Sequence, residues 1–187
     1  MNEKKQLSPE SLAALGALNK AYTEAKVSAG PSERPPAGLH GCYITELSVR
    51  PYEKIRTAKN GEVPGFFVQF SYITMEPIPG SRNPSEPMEW RGSSRRIVAN
   101  PAVYAQMGQK DDPEWTLCRD LSEIKDALAQ VLQRAPGNLQ SDLVEASAKV
   151  ASSRVAVLVK IHEKANAKNP SEPYWTDYIN ENITGKQ

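Results

Sequence analysis

Ten of the chain's fifteen prolines fall between Pro31 and Pro101. Proline removes a backbone donor and clashes with the preceding helical turn, so this stretch cannot be mainly helical. Both flanks instead carry apolar residues three or four apart, and the chain reads as helix, strands, helices, strands. A length of 187 residues suits one domain with an appendage better than two full domains. The composition, 39% hydrophobic and 24% charged, is that of a globular protein rather than a disordered one.

Three segments follow from the pattern: 1–38, 39–183 and a short tail, 184–187. In the first, Ser8 is a suitable N-cap, Pro9 occupies the first helical position, and Leu12, Leu15, Leu18 and Tyr22 share one stripe. The run from Pro31 to Gly38, with Pro35-Pro36, reads as a stiff linker. Lys4 and Lys5 before Leu12–Leu18 imitate a signal peptide, but Lys20, Glu24 and Lys26 follow at once, so export is not expected. No segment approaches the roughly 18–20 apolar residues of a membrane span. Two cysteines, Cys42 and Cys118, cannot make a disulfide framework and suit a reducing cytoplasm.

The second segment opens with an alternating strand from Leu39 to about Arg50, where Gly41 can mark a bulge. Residues 51–64 read as a polar loop holding Lys54, Arg56, Lys59 and the turn pair Asn60-Gly61. The next strand, from Gly65 to about Met75, places Phe66, Val68, Phe70 and Tyr72 toward the core and Phe67, Gln69 and Ser71 on the other face. A third, Met88–Val98, sets Trp90 and Val98 against Arg91, Ser93 and Arg95. Between residues 100 and 153 the spacing turns helical. Asn100-Pro101 starts a short helix. Asp120 with Glu123 marks the start of another, which Pro136-Gly137 ends, and Leu139, Leu143, Ala146 and Val150 form a third stripe. Val155, Val157, Val159 and Ile161 then define a strand over 154–162, and Tyr174–Asn180 a last one. The five residues of Asn83–Pro87 recur as Asn169–Pro173, each before a tryptophan-bearing strand, and read as similar turns.

Three strands, a helical connection, then two strands is the element order of an OB-fold, a five-stranded Greek-key barrel with its helix between strands 3 and 4. The expected class is therefore mainly β with helices (α+β): a five-stranded OB-fold-like barrel, a helical insertion over about 100–153, and an N-terminal helical appendage. Gly41-Cys42-Tyr43, the basic first loop, the aromatic second strand and the closing Tyr174-Trp175-Thr176-Asp177-Tyr178-Ile179-Asn180 give the chain a further likeness. Over about Pro36 to Ile183 it resembles phage-type single-stranded DNA-binding proteins of the OB-fold class. The resemblance implies a protein that coats and protects single-stranded DNA with little sequence preference during replication or recombination. It also implies contacts with other replication or recombination proteins, while the N-terminal stripe of Leu12, Leu15, Leu18 and Tyr22 suits packing on the domain's own surface or, as the alternative, contact with a partner or a second copy in a homo-oligomer. Many such proteins recruit partners through an acidic tail, whereas residues 183–187 here carry no acid.

Charge distribution gives an independent reason to expect nucleic acid. The net charge is only +1, but binding depends on where charge sits. Residues 50–96 hold eight Lys or Arg and five Asp or Glu, and residues 154–168 hold four and one. The helical stretch 119–153 holds four and five, so positive charge avoids the helices. Sequence-tolerant single-strand binding needs cations for phosphates and flat side chains for bases. In an OB-fold, strands 2 and 3 with the first and last loops supply that surface. The candidate set is Arg50, Tyr52, Lys54, Arg56 and Lys59 at one rim, Phe67, Gln69, Arg91 and Arg95 across the face, and Lys160, Lys164 and Trp175 at the other rim. Catalysis is not expected. There is no phosphate-cradling Gly-rich loop, no Gly-Xaa-Ser-Xaa-Gly and no His-Glu-Xaa-Xaa-His. His40, Cys42, Cys118 and His162 lack compact zinc-ligand spacing, and neither a metal nor another cofactor is expected. Two other readings fit the same barrel: a protein-interaction module, such as a phage assembly component, and an oligosaccharide-binding domain.

Overall fold

The computed structural model describes residues 33–105, 114–166 and 173–186. The expected N-terminal helix lies outside the described residues. The end of the expected linker is docked rather than free: Pro35 is fully buried, and the Glu33 carboxylate accepts the Arg82 N–H at 2.9 Å.

A single sheet dominates. It contains β1 (Gly38–Thr57), β2 (Gly61–Pro77), β3 (Pro87–Arg91), β4 (Arg95–Val98), β5 (Val155–Lys164) and β6 (Tyr174–Asn182). The strand order is β3-β2-β1-β5-β6, with β4 pairing the other half of β2. All the pairings are antiparallel. Helices α1 (Pro101–Tyr104), α2 (Trp115–Leu132) and α3 (Leu139–Ser152) connect β4 to β5. The α+β class and the position of the helical insertion are as expected. The closed barrel is not: the sheet is open, and among the described residues β6 pairs only with β5. Among the described residues no helix is long and apolar enough to cross a membrane.

Three departures from simple alternation shape the sheet. First, residues 51–57 are strand rather than loop. β1 and β2 form one long hairpin that closes at Ala58-Lys59-Asn60, where Thr57 Oγ1 accepts the Asn60 N–H at 3.0 Å and Gly61 takes φ +65°. Ile55 is buried there and Val63, opposite it, packs on the same cluster, giving the extension its own small apolar contact. Second, the β1 bulge falls between Ile44 and Glu46, not at Gly41, where pairing with β5 runs unbroken. The extra residue changes which parity points inward, so Cys42, Ile44 and Leu47 are all buried. Third, the expected strand 88–98 breaks at Gly92-Ser93-Ser94. The Gly92 N–H donates to Phe70 O at 2.9 Å, and a Cβ at Gly92 would lie 2.7 Å from Asp177 Oδ2 and 2.8 Å from the Tyr72 ring. Only glycine permits that approach.

The break turns Arg95 inward, which corrects its expected place on the exposed face. Its side chain is 6% exposed, with Nε donating to Glu123 Oε2 at 3.1 Å and Nη1 facing Asp177 Oδ2 at 3.5 Å. Nη2 donates to the Asp177 carbonyl, and the Ser93 N–H and Tyr72 hydroxyl donate to the Asp177 carboxylate. Burial opposes the Arg95 charge, but Asp177, Tyr72 and Glu123 outweigh it and raise its pKa. β4 is thus linked to β6 by side chains where no backbone ladder runs. Ser93 Oγ, donating to Trp175 O at 3.4 Å, and Arg95 Nη2 also occupy carbonyls on the outer edge of β6, and occupied edge carbonyls are poor templates for pairing with another chain.

The core lies between the sheet and helices α2 and α3. Val68, Phe70 and Tyr72 of β2 meet Val155, Val157, Val159 and Ile161 of β5, with Ile124, Leu128 and Val131 of α2 and Ala146 of α3. Trp90 belongs to this core, stacked on Tyr72 at 4.7 Å between ring centres. Phe66 does not, being 43% exposed at the edge of a groove beside α3. α2 starts at Trp115, ahead of the expected Asp120 signature. Asp120 lies within the helix and uses its carboxylate on the N–H and Nε of Arg96 at 3.0 and 3.1 Å.

At the start of α3, Asn138 caps Ser141 N, and the Asp142 carboxylate accepts the N–H groups of Gly137 and Asn138 at 2.8 and 3.0 Å. Burial pushes Asp142 up, but hydrogen bonds from Arg134, Gly137 and Asn138 outweigh it and hold the carboxyl below its usual range. A carboxylate depressed on folding contributes stability that is complete above its unfolded value of ~3.9 and is lost as pH falls through the folded value. Asp142→Asn is therefore expected to flatten the loss of stability below about pH 4, measured by denaturant unfolding across that range. A slope equal to that of the parent chain would contradict this role.

Candidate nucleic-acid interface

The sheet face opposite the core carries the densest set of expected residues. Period-two alternation after the β1 bulge sends Ser48, Arg50 and Tyr52 to this face. The register sets Gln69 opposite Ser48 and Phe67 opposite Arg50. Arg50 Nη2 approaches Gln69 Oε1 at 3.4 Å, while Gln69 Nε2 donates to Gly92 O at 2.7 Å. That second bond fixes which way the amide points and presents its oxygen to the arginine. The Tyr52 ring meets Phe67 edge-on, 5.0 Å between centres at 75°. Tyr52 is 50% exposed, whereas Phe67 is anchored against the small cluster of Ile55, Val98, Val103 and Leu117. The pair therefore offers one free ring braced by one rooted ring.

Arginines frame this pair. Arg96 of β4 lies opposite Phe67 and is held by Asp120, and exposed Arg91 of β3 lies opposite Ser71. Lys54 and Arg56 are exposed further along the hairpin, Arg56 facing Glu62 across it. Lys59 sits at the tip, where its backbone N–H donates to Glu114 Oε1 at 3.0 Å. The structure thus brings together Arg50, Tyr52, Phe67, Gln69 and Arg91 and adds Arg96, which alternation did not single out. Lys160 and Lys164 sit apart on β5, Lys160 opposite Leu39 at the far end of β1. Arg95 is interior. Trp175 is half-buried against the core rather than presented on the outer face.

Both cysteines are buried. Burial pushes the Cys42 thiol up to about 12, outweighing the lowering effect of the Trp90 indole, so the thiol stays protonated at neutral pH. Cys118 is buried and donates to Val103 O at 3.3 Å. Among the described residues no group of three His, Cys, Asp or Glu side chains is placed to hold a metal ion. No protein-family model, curated protein or solved structure matches the chain.

Proposed function

We propose that this chain is a non-enzymatic, cytoplasmic single-stranded DNA-binding protein of OB-fold type. It coats unpaired DNA with little sequence preference during replication or recombination, alongside the other proteins of those processes. The observation that carries the reading is the braced Tyr52–Phe67 pair framed by Arg50, Arg91 and Arg96 on the face opposite the core. Exposed rings beside phosphate-binding cations are what sequence-tolerant single-strand binding requires. Strand order supports the fold assignment, with β5 beside β1 and the helices between β4 and β5. The side-chain link from Ser93 and Arg95 to β6 lies where a closed barrel would carry its last ladder.

Tyr52→Ala is expected to cost about 1–3 kcal/mol of affinity for oligo-dT while leaving the slope of log affinity against log salt unchanged. Arg91→Ala should weaken binding and flatten that slope by about 0.7. Phe67→Ala should lose affinity and stability together, because its ring also roofs the Ile55 cluster. Fluorescence titration with thermal unfolding separates these effects, and a Tyr52→Ala chain with parental affinity would contradict the stacking role. One observation favours a protein-interaction reading instead: Phe66, Val49, Leu139 and Val144 line an exposed groove of about 1110 Å³ between the sheet and α3.

A further inference from the structure

A second strip of cations and rings lies on the outer face of β5 and β6, remote from the Tyr52–Phe67 pair. Val159 and Ile161 point into the core, so Lys160, His162 and Lys164 point away from it. The register places Tyr178, Thr176 and Tyr174 opposite these three, in that order. Directly opposed side chains on one face are neighbours, so a row of basic residues runs beside a row carrying two phenol rings. Tyr174 is 57% exposed. Tyr178 is held edge-on to His162, 5.6 Å between centres at 78°, and the buried Arg95 guanidinium lies 6.0 Å from its ring centre. One ring is therefore free and the other braced, the arrangement also found at Tyr52 and Phe67. Among the described residues, acids are kept off the strip. Glu163 projects to the opposite face of β5, and Glu181, further along β6, is paired with Lys186 at 2.6 Å.

We infer that this β5–β6 face is a second binding strip for single-stranded nucleic acid, with phosphates along Lys160 and Lys164 and bases against Tyr174 and Tyr178. The inference rests on the proposed function and deepens it. The strip lies at the start of β1 and the first patch in its second half, so one strand crosses the face to reach both. A ligand long enough to do so gains from the high effective concentration of its second contact. A short one does not.

The test is a fluorescence-polarisation titration of the full chain with labelled oligo-dT of increasing length at two salt concentrations. Affinity is expected to rise with length until both strips are covered. Tyr174→Ala with Lys164→Ala should weaken binding of the long oligonucleotide about tenfold or more. It should also flatten the salt slope by about 0.7. Tyr52→Ala should weaken short and long alike. Both β5–β6 substitutions are at exposed positions, and an unchanged thermal midpoint verifies the fold. Should the midpoint move, Lys160→Glu, a single exposed charge reversal, gives the same comparison. Unchanged affinity of the β5–β6 variant for the long oligonucleotide, with Tyr52→Ala still impaired, would overturn the second strip alone. A parent chain that binds no oligonucleotide would overturn the proposed function along with it.

Discussion

Asp177→Ala is expected to remove about 3–5 kcal/mol of stability, the cost of stranding one partner of a buried ion pair. Asp177 receives the Ser93 N–H, the Tyr72 hydroxyl at 3.3 Å and Arg95 Nη1 at 3.5 Å. Without it, the Arg95 guanidinium, only 6% exposed, keeps a carboxylate partner only in Glu123, and the Tyr72 hydroxyl loses its acceptor. Burial, then the charge of Asp177, holds the Tyr72 hydroxyl protonated well above its ordinary range, so it acts as a donor here. Denaturant unfolding measures the loss. Replacing the pair together, Arg95→Met with Asp177→Leu, should recover much of it, because both charges of the pair go and Glu123 keeps Arg119 at 3.3 Å. A loss below about 1 kcal/mol, the worth of an ordinary surface pair, would show that the β4–β6 link is not what holds this seam. Arg95→Ala should likewise act on stability, not through a lost phosphate contact.

Trp90→Ala carries a comparable expected loss, about 3–5 kcal/mol, from the cavity left by a large buried ring. Trp90 is 5% exposed and stacks on Tyr72 at 4.7 Å and 28°. Tyr72 in turn stacks near Phe70, so the three rings form the continuous aromatic part of the core under β2 and β3. The substitution should leave the salt slope of binding unchanged in whatever fraction stays folded. Intact stability with lost affinity would place Trp90 in the interface instead.

Sequence periodicity revealed what depends on local pattern. Val155, Val157, Val159 and Ile161 are all buried as their alternation requires, and α1 starts at Asn100-Pro101 as expected, with the Asn100 side chain accepting the Ala102 N–H. What alternation missed depends on partners far along the chain. Arg95 reads as a surface cation because its acid, Asp177, lies 82 residues away. Gly92-Ser93-Ser94 carries a local break signal, but it does not say that the strand beyond it turns Arg95 inward to meet Asp177. The β1 bulge changes inward parity within three residues, so Arg50 and Tyr52 reach the outer face while Leu47 goes inward. Phe66 shares the parity of Val68 and Phe70, yet it lines the groove beside α3 rather than the closed core. The Tyr52–Phe67 contact was legible only as two flat residues near cations; the hairpin extension that makes them neighbours was not.

The central claim is that the cation-framed rings bind unpaired nucleic acid. Titrating the chain with oligo-dT and with duplex of equal length, at two salt concentrations, tests it most directly. The expected result is tighter binding of oligo-dT, because only unpaired bases expose faces for stacking, with log affinity falling by about 0.7 per neutralised phosphate for each unit of log salt. Equal affinity for the duplex, or binding indifferent to salt, would contradict it.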